Sequence, residues 1–253
     1  INTHYQYIAV QSPWAMEYLK KIPAADSKPI ITGPLMFTIL EKDKGERTSL
    51  RRKIIPEFAD HIVVLHAGTP KPRRYLRFYV YETLDEYIEN INSLIMALDH
   101  IEDVHLIVRF RPSDYMTEED FADLLVKSDC YSIHSEGLFA DYLQIADLLV
   151  SYSSTTIEEA LQNKIPVLQY DSQGKYCHIE GQLLDPAKSP EVNSCYYVDT
   201  EEKLPWALRW LYENHFTKKV PDSLWERHVF ADGEKVTLPS YFKSLFANDN
   251  RYN

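Results

Sequence analysis

Residues 147–170 read DLLVSYSSTTIEEALQNKIPVLQY, and this stretch decides the fold. Asp147 to Ser151 is a short apolar run that ends in a hydroxyl. From Ser153 onward the apolar positions recur at helical spacing, and Ile165 to Gln169 is a second apolar run entered through a proline. The pattern predicts strand, helix, strand. The first turn carries Ser151, Ser153, Ser154, Thr155 and Thr156, so four consecutive hydroxyl residues sit where a helix start leaves N–H groups without partners.

Free N–H groups at a helix start, where the dipole places about half a positive charge, suit a phosphate oxygen. Short hydroxyl side chains add direct hydrogen bonds. Glu158 and Glu159 follow one turn later, beside Ile157, Ala160 and Leu161, which give the helix its buried side. A carboxylate there can accept bonds from a ribose diol, and phosphate with ribose means a nucleotide. The same residues also describe an ordinary capped helix with acidic residues in its first turn. Both readings stay open on this stretch alone.

The whole chain, 253 residues, is long enough for one large α/β domain or one domain and part of another. A net charge of −11 disfavours broad nucleic-acid binding and adhesion to anionic lipid, which rely on a basic surface. Lys71, Arg73, Arg74 and Arg77 form a local exception, either a solvated basic face or a lid over an anionic ligand. Cys130, Cys177 and Cys195 are odd in number and lack C-x-x-C spacing, so no disulfide framework or zinc site is expected, and a reducing cytoplasm fits best. No apolar run reaches the ~20 residues that span a bilayer. The first residue is Ile1, so the sequence reads as a piece of something longer.

Working outward, Tyr7 to Gln11 is a strand, Ser12-Pro13 starts a helix, and Pro29 to Thr32 is a strand closed by Gly33-Pro34. That βαβ fragment is too small to bury its own core. A charged connector is expected from Glu41 to Lys53. His61 to His66 opens the main domain and leads into Ala67-Gly68-Thr69-Pro70. Thr83 and Glu86 form a capping box for a helix with Leu84, Tyr87, Ile88, Ile91, Leu94, Ile95 and Leu98 inward. Val104 to Val108 is a strand ending in Arg109-Phe110-Arg111-Pro112, and Thr117 caps a helix with Phe121, Leu124 and Leu125 inward. Cys130 to His134 is a strand and Gly137 to Ile145 a short helix. Beyond Tyr170 an irregular segment, 171–193, precedes a strand at Cys195 to Val198, a helix through Trp206 and Trp210 that read as packing, and a tail from Pro221 with a helix near Tyr241 to Phe246.

The expected fold class is therefore α/β: a Rossmann-like, doubly wound parallel sheet with a remnant βαβ unit ahead of it. The expected divisions are 1–58, 59–216 and 217–253. In the strand order 3-2-1-4-5-6 the first and fourth strands are neighbours at the switch point, where such sheets bind ligands. Gly68-Thr69 and the Ser153–Thr156 turn would then share one crevice.

These residues resemble a known group. YSSTTIEEALQNKIPVLQYD looks like the donor-binding signature of GT-B glycosyltransferases and their relatives, among them teichoic acid and capsule polymerases that use CDP-glycerol, and UDP-N-acetylglucosamine 2-epimerases. Tyr152-Ser153-Ser154 match the polymerase pattern, with Ser151 in place of its aspartate. Ser153 and Glu158-Glu159-Ala160 keep the epimerase register, with Ser154 and Thr155 in place of its glycines. IAVQSPWAMEYLKK and KPIITGPLMF are similar to the last βαβ unit of the N-terminal GT-B domain.

By that resemblance, Ser153, Ser154 and Thr155 hold a diphosphate, Glu159 or Glu158 the ribose, and Ile133 to Gly137, including His134, frames the base. Arg109 and Arg111-Pro112 stand where relatives carry a basic residue and a His-Pro pair, and either arginine could neutralise the leaving diphosphate. His66, His178 and Glu180 are secondary candidates for ligand contact. The implied activity is transfer of a sugar or polyol phosphate from a nucleotide-activated donor in cell-surface polysaccharide biosynthesis. No metal or other cofactor is implied. The partners implied are the donor and a glycan or lipid-linked acceptor, with no nucleic acid; the location implied is the cytoplasm, extending to the inner face of the membrane. A sugar-nucleotide 2-epimerase and a non-catalytic nucleotide-binding or interaction module are the alternatives.

Overall fold

The computed structural model describes residues 7–22, 27–37, 39–40, 43–68, 82–112, 116–174, 176–216, 221–231 and 234–248. The chain divides into two compact units, Ile1–Ile39 with Asp222–Asn253, and Leu40–Pro221. The expected divisions fall at 58 and 216; in these units residues 222–253 group with residues 1–39, and the connector groups with the main sheet.

In the unit made from both ends of the chain, β1 (Tyr7–Val10) and β2 (Lys28–Ile31) pair in parallel, with Tyr7 opposite Lys28 and Val10 opposite Ile31. Between them runs α1 (Pro13–Lys20), started as expected by Ser12, whose hydroxyl accepts from Ala15 N at 3.1 Å. Chain reversal after β2 uses Gly33 at φ +67°, a left-handed conformation that favours glycine. Two long-range backbone bonds tie the tail in, Trp14 N to Arg227 O at 2.9 Å and Val236 N to Ile31 O at 2.8 Å.

In the contiguous unit the charged connector is a helix, α2 (Lys44–Ile54). Asp43 accepts from Gly45 N at 2.7 Å to cap it, and Arg51, Arg52 and Lys53 occupy the last turn, where cations suit the dipole. The remaining elements are β3 (Ile62–Ala67), α3 (Leu84–Leu98), β4 (Val104–Arg109), α4 (Glu118–Asp123), β5 (Tyr131–His134), α5 (Phe139–Ile145), β6 (Leu148–Ser151), α6 (Thr156–Gln162), β7 (Val167–Tyr170), β8 (Gln182–Leu183), β9 (Cys195–Val198) and α7 (Leu204–Leu211). The tail of the other unit ends in α8 (Leu238–Asn248).

The main sheet has seven strands in the order β5-β4-β3-β6-β7-β9-β8, with every pair parallel. Counted from β3, this is the expected 3-2-1-4-5-6 order with the two-residue β8 added at the edge. The β8 pairing lies within the segment expected to be irregular throughout.

Residues two apart on a strand share a face. Val64, Leu106, Val108, Leu148, Val150, Leu168, Tyr196 and Val198 line one face and form a single core with Ile91, Leu94, Ile95 and Leu98 of α3 and Leu204, Leu208 and Leu211 of α7. Each such fully buried aliphatic side chain contributes about 1.5–3 kcal/mol relative to exposure. The capping box at Thr83 and Glu86 is present as expected, Glu86 N to Thr83 Oγ1 at 3.1 Å and Thr83 N to Glu86 Oε2 at 2.8 Å. Trp206 and Trp210 pack against the same core. Two expected core residues are out of it: Leu124 is 48% exposed because α4 ends at Asp123, one residue before it, and Leu84 is 41% exposed at the first turn of α3.

Candidate functional site

At the switch point the carboxyl ends of β3 and β6 lie side by side, with His66 opposite Val150. Ser151, 1% exposed, closes the seam by donating to Ala67 O at 2.6 Å. Where resembling polymerases carry an aspartate, this serine is a structural clasp. Gly68 and the turn from Tyr152 therefore leave the sheet next to each other, as the sequence leads one to expect. Thr69, Lys71, Arg73, Arg74 and Arg77 lie outside the described residues.

Thr155 is exposed, and Ser153, Ser154 and Thr156 are half-buried, so packed side chains do not wall the turn off. The helix starts later than expected, at Thr156, with Thr155 already in helical conformation (φ −62°, ψ −14°) and making no side-chain cap. Two amides expected to be free are engaged: Thr156 N donates to Ser154 Oγ at 3.3 Å and Ile157 N to Ser154 O at 3.1 Å. This corrects the picture of a bare amide cradle. The turn exposes Thr155 and parts of Ser153 and Ser154, while Thr156 Oγ1 is buried without a hydrogen-bond partner; the Ser154 contact is long enough to be exchanged for a ligand oxygen. Ile157, Ala160 and Leu161 are buried as expected, which leaves Glu158 and Glu159 half-buried at the helix flank.

A contact across the chain joins Glu158 to the loop after β7. His178 Nε2 lies 3.4 Å from Glu158 Oε1, and its Nδ1 lies 3.1 Å from the Tyr176 hydroxyl. Nε2 is buried and makes no hydrogen bond, so the approach to Glu158 is a charge proximity, while Nδ1 faces the Tyr176 hydroxyl. Gln169, 2% exposed, fixes this loop: its Oε1 accepts from His178 N at 2.7 Å and Ile179 N at 2.9 Å, while Nε2 donates to Ile179 O at 2.6 Å. Sequence spacing did not bring His178 and Glu158 together. A glutamine inside an apolar strand was the available signal, since a buried amide needs partners. Glu180, the other loop candidate, is exposed.

Arg109, expected beside a leaving diphosphate, bonds within the protein. Its guanidinium donates to His134 O at 2.6 Å, Phe110 O at 3.3 Å and Gly137 O at 2.8 Å, and lies over the Tyr142 ring at 4.8 Å. It braces the end of β4 to the segment after β5, with those donors directed at the protein's own carbonyls. Arg111, two residues past the strand end, is exposed. His134 belongs to a chain of contacts, with Ser132 Oγ 2.9 Å from its Nε2, His105 Nε2 2.8 Å from the same hydroxyl, and the Tyr142 hydroxyl 3.5 Å from its Nδ1. Burial, then the Arg109 charge, pushes its pKa down. Because β5 is the edge strand, His134 sits two strands from β3, about 10 Å at ordinary strand spacing.

His66, 6% exposed, is pushed down to about 4 by burial, so its ring is neutral at pH 7; it packs 5.7 Å from Tyr87. Tyr152, 7% exposed, is raised in pKa by burial and then by Asp171 and the glutamates Glu82 and Glu86. A cleft of about 280 Å³ lies elsewhere, lined by Glu89, Ser93, Ser172, Glu201 and Glu202, and none of the expected site residues reach it.

No protein-family model matches the sequence, and no curated protein matches it. Solved structures do. The UDP-GlcNAc 2-epimerase of Neisseria meningitidis, bound to UDP-GlcNAc, is 12% identical over 97% of this chain with a TM-score of 0.53. The wall teichoic acid polymerase TagF, in a variant soaked with CDPG, is 15% identical over 96% with a TM-score of 0.51. HepE of Anabaena, in complex with UDP and glucose, is 13% identical over 97% with a TM-score of 0.52.

The seven-stranded unit has the fold of a GT-B Rossmann-like domain. The chain spans 58–63% of the length of these three GT-B structures. Within the GT-B frame, the main sheet is the Rossmann-like domain, and its β3–β6 seam is the switch point at which Ser151 and Ala67 meet.

Proposed function

We propose that this chain is the donor-binding half of a GT-B transferase. It takes a nucleotide-activated sugar or polyol phosphate for cell-surface polysaccharide synthesis and works without a metal. The observation that carries this is the Ser151–Ala67 seam, which sets an accessible turn of hydroxyl residues beside Gly68 at the carboxyl edge of a doubly wound sheet. Ser153, Ser154 and Thr155 supply hydroxyls to the diphosphate, and Glu159, on the same flank as Glu158, accepts from the ribose. The segment Ile133 to Gly137 frames the base. Fold likeness to TagF soaked with CDPG and to HepE with UDP and glucose supports a nucleotide-linked donor.

The likeness to the Neisseria epimerase supports a second reading, a sugar-nucleotide 2-epimerase. Ser154 and Thr155, in place of that group's glycines, weigh against it.

Calorimetry with UDP, CDP and CMP compounds tests the proposal. Binding heat is expected from at least one compound, and affinity falls by about tenfold or more in the Ser154→Ala, Thr155→Ala double variant, the loss of about two hydrogen bonds to a charged group. The same affinity with chelator present is expected for metal-independent binding. No heat with any compound overturns it in favour of an interaction module; equal affinity in the double variant removes the diphosphate from the Ser153–Thr155 turn.

A further inference from the structure

We propose that Cys177 and Cys195 form a reversible disulfide that releases the His178 loop from the end of β7. The inference stands apart from the donor reading, since each of its readouts is taken without a nucleotide. Neither cysteine is in a disulfide, and one group contacts both sulfurs: Gln169 Nε2 lies 3.2 Å from Cys195 Sγ and 3.5 Å from Cys177 Sγ. That side chain is also what holds the loop, through the bonds from its amide to His178 and Ile179. Cys177 Sγ approaches the same Ile179 carbonyl at 3.0 Å. Cys177 is exposed and Cys195 is 1% exposed, so an outer thiol meets an oxidant and an inner one resolves it.

The oxidant required is a low-molecular-weight disulfide such as glutathione disulfide. Cys177, as thiolate, attacks one of its sulfurs, forming a mixed disulfide and expelling one glutathione thiolate, which takes up the proton Cys177 gave to solvent. Cys195, having lost its own proton, then attacks Cys177 Sγ and expels the second glutathione. Two protein thiols are oxidised to one disulfide while one disulfide is reduced to two thiols. Drawing the sulfurs together to about 2.05 Å moves Cys177 toward Cys195 and shifts both contacts that the Gln169 amide nitrogen makes. The amide is displaced, the His178 and Ile179 N–H groups lose their shared acceptor, and the imidazole leaves Glu158.

The test incubates the whole chain with glutathione disulfide at about pH 8.5, since the sulfur of this exposed residue is partly desolvated against Gln169 and Ile179, which pushes the thiol up, and the thiolate is the nucleophile. Peptide mass mapping is expected to find Cys177 linked to Cys195 with the loss of two hydrogens. Amide exchange at His178 and Ile179 is expected to rise about tenfold or more, as when a protecting hydrogen bond is lost. Dithiothreitol reverses both on the parent chain, so the result does not hang on any variant folding; Cys177→Ser, at an exposed position, abolishes both. A mixed disulfide at Cys177 that never resolves, a link to Cys130, or a Cys177–Cys195 link with unchanged exchange at His178 and Ile179 each overturns the proposal.

Discussion

Arg51 Nη2 lies 2.5 Å from Asp147 Oδ2, and on the other carboxylate oxygen Arg47 Nη2 lies 2.6 Å from Oδ1. The same Oδ2 accepts from Val63 N at 2.8 Å, so one side chain joins α2 to the start of the two strands that flank the switch point. Both arginines also donate to Ile145 O. Asp147→Asn removes the charge from this junction. With Arg51 13% and Asp147 23% exposed, the expected loss is about 1–3 kcal/mol, read by urea denaturation. Faster amide exchange confined to residues 44–54 accompanies it; a change spread evenly over the sheet would contradict a local anchor.

Arg109 makes a second prediction. Since its guanidinium bonds three backbone carbonyls, Arg109→Lys keeps charge but loses the fork. A drop of about 1–2 kcal/mol, or roughly 2–8 °C in melting temperature for a unit of this size, is expected. Nucleotide affinity changes by less than about twofold if the side chain only braces, well below the factor of ten that 1.4 kcal/mol represents. An unchanged melting temperature with a large affinity loss would restore the role first expected for it.

Stability should depend on pH through buried histidines. His66, His105, His215 and His228 are each lowered from 6.5 to about 4, with burial the leading cause. Between those values the unfolded chain binds more protons than the folded one, so stability is full above pH 6.5 and is lost as pH falls toward 4. His105 stacks on Phe58 at 3.9 Å and lies 2.8 Å from Ser132 Oγ. His105→Gln removes one titrating group, so the slope of unfolding free energy from pH 6 to 4.5 is reduced by up to about 1.4 kcal/mol per pH unit. Parallel profiles for parent and variant would refute this.

Glu158 and His178 are each about one-fifth exposed, and the pair is loosely aligned at 3.4 Å. Glu158→Gln is therefore expected to move unfolding free energy by less than about 1 kcal/mol. Its His178 ring resonances shift by NMR all the same, since the carboxylate beside Nε2 is gone. Unmoved resonances would mean that the two side chains do not meet in solution.

Much of this was legible in the sequence. The apolar runs at residues 61–66, 104–108 and 147–151, alternating with helices, gave the sheet and its order, and Thr83 with Glu86 marked α3 correctly. Helix α2 was missed because it has no buried residues, so no apolar stripe betrays it; only Asp43 and its terminal charges do. Side-chain direction was the other blind spot. That Arg109 is basic can be read from the sequence; that it turns back onto His134 O and Gly137 O cannot. Likewise, the meeting of His178 with Glu158 depends on a loop shape that Gln169 imposes from nine residues upstream in the chain.

The division of the chain also sets an order of events in its synthesis. The sheet unit is one uninterrupted stretch, Leu40–Pro221, so every strand it needs has been made by the time Pro221 is added. The other unit is complete only when residues as late as Val236 are available to bond Ile31 O. Maturation should thus show two clocks: an early one for the sheet, and a later one that starts only when residues 222–248 have emerged from the ribosome and can reach β2.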